Sequence, residues 1–453
     1  MPQSKALIGI DWGTHSSKWK WTIFKPDTDG ALDGQYKILR SEVCLDDNRN
    51  IFLSVDAPGG NTISISSIKG KLIQNPDAPF WTGPQKRIRL TLGELASFSL
   101  WFLLSEASDD LCRISEERPD ELEVRFSIPN WVDTQGGAVG RACYEQAARV
   151  ACHLFKNDRG AWSRNSRPES DDWHRRVQGA LTALGLSDDS EIDNSADGFR
   201  KMLSRVYEVD QDISFRFVAE SSAAGLSGLR RSGNVDHGYL LKILVVDVGA
   251  GSTDIGYVIR SVPRPDSDAR EVLCQLPPAN TCPIAGNDLD RRIVEIYRSQ
   301  GIDIGTEEAE KRKIRGEVNN VGEPDPSVRD WAQTIARHVQ AYVVRLPDER
   351  WLPVRPELHV LVTGGSGVVA GLREEVVGGV TQGLKDRGVS FSIAEATRLM
   401  NLSLQGPQAR EANRLAVALG AASEDLPKLS YYQKLDRNMP SPTVRMSPSW
   451  TGL

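Results

Sequence analysis

The stretch Leu244-Val245-Val246-Asp247-Val248-Gly249-Ala250-Gly251-Ser252-Thr253-Asp254-Ile255 decides the fold. Apolar residues run straight into an aspartate, and a glycine two positions on opens a turn of small and hydroxyl-bearing residues. An apolar run bounded by such a turn reads as a strand, here Leu240–Asp247, that returns through Asp254–Arg260. The same layout stands near the start of the chain, at Ile8-Gly9-Ile10-Asp11-Trp12-Gly13-Thr14-His15-Ser16-Ser17. There the strand Ala6–Asp11 returns through Lys18–Phe24, whose tryptophans alternate. A strand-end aspartate suits a hydrated Mg²⁺, because that ion keeps most of its waters and takes few protein ligands. Gly13 lets the backbone approach a phosphate, and the N–H groups of the following turn grip its oxygens. Two Asp-x-Gly hairpins, one in each half, predict two strand ends facing each other across a cleft.

A third glycine turn, Val360-Leu361-Val362-Thr363-Gly364-Gly365-Ser366-Gly367, ends the strand Leu358–Thr363 and leads into a helical stretch, Leu372–Leu384. It presents bare backbone to a flat or anionic ligand. Spacings of three and four predict further helices over Leu90–Leu104, Ala138–Phe155, Leu289–Tyr297 and Val328–Leu346. The segment Asn157–Ile213 is polar, with clustered Asp, Ser and Arg around a helical piece, Trp173–Leu184, and reads as an insertion. Its apolar stripe, Trp173, Val177, Leu181 and Leu184, has two readings: a seat for a partner helix, or a cover for the parent lobe. Leu426–Leu453 contains Pro440, Pro442 and Pro448 among serines and reads as an extended tail.

A length of 453 residues suits two large lobes, and 40% hydrophobic with 26% charged residues is a soluble globular profile. No apolar run approaches the roughly 20 residues of a membrane-spanning helix. Met1-Pro2-Gln3-Ser4-Lys5 leads directly into a strand, so no signal peptide is expected and a cytoplasmic location is. The net charge of −6 supplies no basic footprint for nucleic acid. The six cysteines form no CxxC pair and are expected reduced, and Cys152-His153 lacks two further ligands for a metal site.

Taken in order, the three turns resemble the phosphate-one, phosphate-two and adenosine motifs of the actin-like ATPases. The sequence between them is most similar to the ATPase domain of the seventy-kilodalton heat-shock (DnaK-type) chaperones. Phe126-Ser127-Ile128-Pro129-Asn130-Trp131, continuing to Gln135, resembles that family's strand with its Val-Pro and downstream Gln. Phe217-Val218-Ala219-Glu220-Ser221-Ser222-Ala223-Ala224-Gly225 resembles its Asn-Glu-Pro-Thr connection, and Asn61-Thr62 with Ser66-Ser67-Ile68-Lys69 its catalytic-lysine segment. Gly286-Asn287-Asp288-Leu289-Asp290 is similar to its Gly-Gly-x-Asp-Phe-Asp helix start. Glu308, Lys311 and Arg312 are similar to its adenosine helix, and Arg414–Ala422 to its final helix.

The resemblance spans about residues 6–425 and implies an α/β, actin-like ATPase fold, two ribonuclease-H-like lobes around a nucleotide cleft. Lobe I would cover 1–215 with the insertion at about 157–213. Lobe II would cover 216–425 with a shortened outer subdomain at about 287–345, and the tail 426–453 would follow. By the same resemblance Asp11 and Asp247 stand in the Mg²⁺ shell, largely through water, and Thr14, His15 and Ser252 face the phosphates of ATP or ADP. Lys69, with Lys71 as the alternative, approaches the γ-phosphate, and Glu220 orients the attacking water. Gly13, Gly249, Gly251, Gly364, Gly365 and Ser366 close on the nucleotide, and Glu308, Lys311 and Arg312 hold the adenosine.

Four departures stand out. His15 replaces a phosphate-binding threonine, the arginine that stacks on adenine is missing near Val368, and Gly136 stands where a relay arginine is usual. The roughly thirty residues after the last helix are also too few for a peptide-binding β-sandwich. The implied function is a stand-alone DnaK-like protein that binds ATP, hydrolyses it slowly and acts with an unidentified protein partner. A filament-forming actin-like ATPase is the alternative, and a sugar kinase of the same superfamily a weaker one, because no catalytic aspartate with a sugar pocket is found between the turns. No membrane or nucleic-acid partner is expected, and an oligomer is compatible with this reading.

Overall fold

The computed structural model describes residues 4–24, 31–53, 63–72, 79–81, 87–114, 119–129, 137–157, 168–186, 196–231, 240–261, 272–315, 326–346, 357–388, 392–395 and 407–423. Strands β1 (Lys5–Asp11), β2 (Ser16–Phe24) and β3 (Ala31–Arg40) form an antiparallel meander. Three short strands, β4 (Val43–Leu45), β5 (Ile51–Leu53) and β6 (Ile63–Ile65), make a small sheet before helix α1 (Ile68–Leu72). A hairpin of β7 (Pro79–Trp81) and β8 (Arg87–Thr91) then leads into α2 (Leu92–Ile114). Strand β9 (Glu121–Ile128) lies parallel to β1. Helices α3 (Gly137–Asn157), α4 (Ser170–Ala183) and α5 (Ala196–Ser204) follow, then β10 (Tyr207–Glu208) and β11 (Ile213–Ala219), with β11 parallel to β9.

The second half opens with α6 (Glu220–Arg231) and repeats the plan. Strands β12 (Leu240–Val248), β13 (Thr253–Ser261) and β14 (Val272–Cys282) form a meander. Helices α7 (Gly286–Ser299), α8 (Thr306–Arg315) and α9 (Pro326–Arg345) lead to β15 (Glu357–Thr363), which is parallel to β12. Helix α10 (Leu372–Asp386), β16 (Ser392–Glu395) and α11 (Pro407–Ala421) close the described chain.

The sheet orders are β10-β11-β9-β1-β2-β3 and β14-β13-β12-β15-β16. Setting aside the two-residue β10, both read third, second, first, fourth and fifth strand with the same directions, which is the ribonuclease-H-like arrangement twice over. Each first strand is covered on both faces, which is why Ala6–Asp11 and Lys242–Val248 are buried without alternation.

Helices α6 and α11 join the halves. Helix α6 leaves the first sheet but packs its Ala224 and Leu226 among Val245 and Val258 of the second, and α11 returns to lie on β1 and β9. The two helices cross so closely that a Cβ on Gly420 would stand 1.6 Å from the Ala223 carbonyl oxygen.

The polar composition of Asn157–Ile213 conceals core structure, and here the reading of the stripe as a partner seat is overturned. Trp173 is fully buried, its ring centroid 5.4 Å from those of Phe98 and of Trp101 on α2, and its Nε1 donates to the Glu94 carbonyl at 3.0 Å. Val177 is buried in the same cluster, with Leu181 and Leu184 packed against it, so the stripe is consumed by its own lobe. The expected tail, Asn61-Thr62, Trp131, Gln135 and Gly136 lie outside the described residues. Among the described residues no helix is long and apolar enough to cross a membrane.

Candidate functional site

Strand pairing sets the first half of the site. The β1–β2 register puts Lys18 opposite Asp11, and Lys18 Nζ donates to Asp11 Oδ2 at 2.7 Å. Neither a charge count nor a motif singles Lys18 out; the hairpin register does. In the second half Asp247 pairs with Asp254 across β12–β13 and with Thr363 across β12–β15, so the second and third glycine turns share one edge. Asp254 accepts from Ser252 Oγ at 3.0 Å and Thr281 Oγ1 at 2.8 Å. Asp247 has no hydrogen-bond or ion-pair partner among the described residues, although it is buried. Gly364 stands at φ +88°, and a Cβ there would lie 2.4 Å from Asp247 Oδ1, so only glycine fits this turn beside the carboxylate.

The two aspartate turns meet across the cleft. A Cβ on Gly251 would come within 2.8 Å of Thr14 Oγ1, and His15 Nε2 lies 2.5 Å from Asn287 Oδ1 of α7. Backbone bonds fix the lobe II turn: Gly286 N–H to the Gly249 carbonyl at 2.9 Å, Asn287 N–H to that of Ala250 at 2.8 Å, and Ser366 N–H to that of Val248 at 3.0 Å. The expected contact residues Gly13, Thr14, His15, Gly249, Gly251, Ser252, Gly364, Gly365 and Ser366 all line an inner cavity of about 70 Å³, together with Asp11, Lys69, Glu220 and Asp247. His15, Thr14 and Arg414 also line an outer chamber of about 730 Å³.

Lys69 is buried and ion-paired with Glu220, whereas Lys71 is exposed. Ser127 Oγ lies 3.3 Å from Asp11 Oδ1 and 3.4 Å from Glu220 Oε1, and Tyr144 donates to the Ser127 carbonyl at 2.9 Å. Burial raises the Glu220 carboxyl from its ordinary 4.5 to about 7; Lys69 opposes that rise, while Asp254 and Asp11 add to it. Burial, reinforced by Glu220 and Asp11, also holds the Asp247 carboxyl well above the usual range. Among the described residues no three acidic, histidine or cysteine side chains converge tightly enough to hold a metal directly. An uncompensated buried carboxylate at Asp247 opposite Asp11 fits a cation held mainly through water.

The expected adenosine helix is α8, but of its three expected residues only Lys311 lines a cavity. Arg312 bonds Glu308 at 3.0 Å and lies over the Tyr297 ring at 4.5 Å, and neither residue lines either cavity. Glu307, Glu310 and Lys311 line the outer chamber instead. They share one helix face at a spacing of three and four, a register equally available in the sequence Thr306-Glu307-Glu308-Ala309-Glu310-Lys311. Lys313, Glu310 and Arg414, none of them anticipated as contacts, line the inner cavity.

Two ribonuclease-H-like sheets, exchanged helices and paired aspartate turns across a cleft define one architecture. The chain has the actin-like fold. No protein-family model matches the sequence, and no curated protein does. Among solved structures, MreB5 of Spiroplasma citri bound to ADP is similar at 13% identity and a TM-score of 0.43, over 97% of this chain and 100% of that one. Ta0583, an archaeal actin homolog in complex with ADP, is similar at 14% identity and a TM-score of 0.40, over 92% and 97%. These distant likenesses add nothing to the strand topology, and neither singles out the heat-shock branch.

Proposed function

We propose that the actin-like chain binds ATP with Mg²⁺ in this cleft and hydrolyses it slowly. The observation that carries this reading is the facing pair of aspartate turns, whose Asp247 is buried without a partner. Asp11 and Asp247 are the residues that would hold the metal through its waters, and Mg²⁺ there offsets charge on the phosphoryl oxygens. The N–H groups around Gly13, Gly249 and Gly365 grip phosphate oxygens. Lys69 stands at the γ-phosphate end, and Glu220, oriented by Lys69 and Ser127, positions water and takes its proton. Titration with a fluorescent ATP analogue is expected to give saturable, magnesium-dependent binding; none at millimolar nucleotide overturns the reading.

The output of that cycle has two readings. A DnaK-like switch working on a separate protein rested on the polar insertion and the Glu308-Lys311-Arg312 helix. Helix α4 of the first packs into the core of lobe I, and Glu308 and Arg312 of the second line neither cavity, so neither feature supports the switch over self-assembly. Light scattering that rises with protein concentration only when ATP is present supports assembly; flat scattering up to tens of micromolar returns the switch reading.

A further inference from the structure

The inner cavity has an unbalanced set of cations. Lys18 is committed to Asp11, Lys69 to Glu220 and Lys313 to Asp290, the last at 2.7 Å, and His15 is engaged by Asn287. Arg414 alone of the lysines and arginines lining that cavity has no hydrogen-bond or ion-pair partner among the described residues. It lines both cavities and so marks the junction between the phosphate compartment and the outer chamber. Its backbone is fixed there: the carbonyl of the preceding Asn413 accepts from Gly364 N–H at 3.3 Å and from Thr363 Oγ1 at 3.0 Å, tying α11 to the third glycine turn.

We infer that Arg414 is a specificity-determining residue that pairs with the polyphosphate of the bound nucleotide where it passes from inner cavity to outer chamber. This rests on the nucleotide reading above. A polyphosphate brings several negative charges into a cavity already lined by Asp11, Glu220, Asp247 and Glu310. The lysines there are neutralised by carboxylates, so they cannot compensate new charge without breaking those pairs. A guanidinium is always charged and offers a planar fork that meets two phosphate oxygens at once. Its placement on α11, which joins the two lobes, makes the same contact sensitive to their closure.

The test compares wild type, Arg414→Gln and Arg414→Lys in binding to ADP, to inorganic pyrophosphate and to adenosine, with thermal unfolding as the folding control. Arg414→Gln is expected to weaken ADP and pyrophosphate binding about 10- to 100-fold, the range for losing hydrogen bonds to a charged group, and to leave adenosine unchanged. Arg414→Lys is expected to fall between, since it keeps the charge but not the fork. Unchanged ADP binding in Arg414→Gln overturns the inference, as does an equal loss for adenosine. Pyrophosphate binding that depends on Arg414, with no nucleotide binding by wild type, overturns only the nucleotide reading; wild type that binds neither overturns both.

Discussion

At position 220 burial and partnership pull in opposite directions. The carboxyl is enclosed by the strand ends of lobe I, with Asp11 and Asp254 near it and Lys69 as its ion-pair partner. Burial wins, and its pKa rises from 4.5 to about 7. A general base has to be ionised to accept a proton, so hydrolysis is expected to increase with pH along a limb centred near 7. Glu220→Gln should abolish that limb and cut turnover by about 10²-fold or more, while nucleotide affinity changes far less. A pH–rate profile of both proteins checks this, and full turnover in the Gln variant removes Glu220 from the role. Stability carries the matching signature. The pKa is raised in the fold, so the contribution of Glu220 is fully present below about 4.5 and is lost as pH rises through about 7. Denaturant unfolding at pH 5 and pH 8 should therefore differ less in Glu220→Gln than in wild type.

At the scale of elements, the strands that carry the site were the most legible part of the sequence. Each is an apolar run closed by a glycine turn, a pattern that depends only on neighbours along the chain, as Leu244–Ile255 shows. Lys18 and Arg414 were not legible for a different reason. Lys18 matters through an antiparallel register that sets it beside Asp11, and Arg414 through a helix brought back from the far end of the chain to the third glycine turn. Neither relation is written in local spacing. On α8 the helix itself was recognisable, but its rotation was not, because acidic and basic residues occupy every face of Thr306–Arg315. On helix α4 the stripe was legible, but which surface it covers was not. Six of its fourteen residues, Asp171, Asp172, His174, Arg175, Arg176 and Gln178, are charged or strongly polar, and they leave only a narrow stripe around Trp173, Val177 and Ala180, which fits a partner helix and the parent lobe equally well until α2 is seen beside it. The narrow stripe is enough to bury the helix against α2 because its tryptophan brings a large apolar area and has its indole N–H satisfied by the Glu94 carbonyl.

For the whole molecule, the question is what holds the lobes at their observed separation. The α6–α11 crossing is a fixed joint, since Gly420 meets the Ala223 carbonyl with no room for a side chain. At the opposite end the mouth of the cleft is spanned by Arg40 of β3 and Glu307 of α8, at 2.7 Å, with His15 and Asn287 deeper inside. Arg40 and Glu307 are 48% and 57% exposed, which places their pair among those worth about 0–1 kcal/mol. So small a contribution cannot decide whether the protein folds, but it is enough to bias closure, because 1 kcal/mol is about a fivefold change in an equilibrium. Arg40→Ala is therefore expected to leave the unfolding free energy within about 1 kcal/mol and to speed nucleotide release by about two- to fivefold at low salt. The exposed ion pair is screened at high ionic strength, so wild type and variant should release nucleotide at the same rate in about 1 M salt. Stopped-flow displacement of a fluorescent nucleotide measures both arms. Equal rates at low salt would show that the mouth contact does not gate the cleft. A change above about tenfold, persisting in high salt, would place Arg40 on the nucleotide itself.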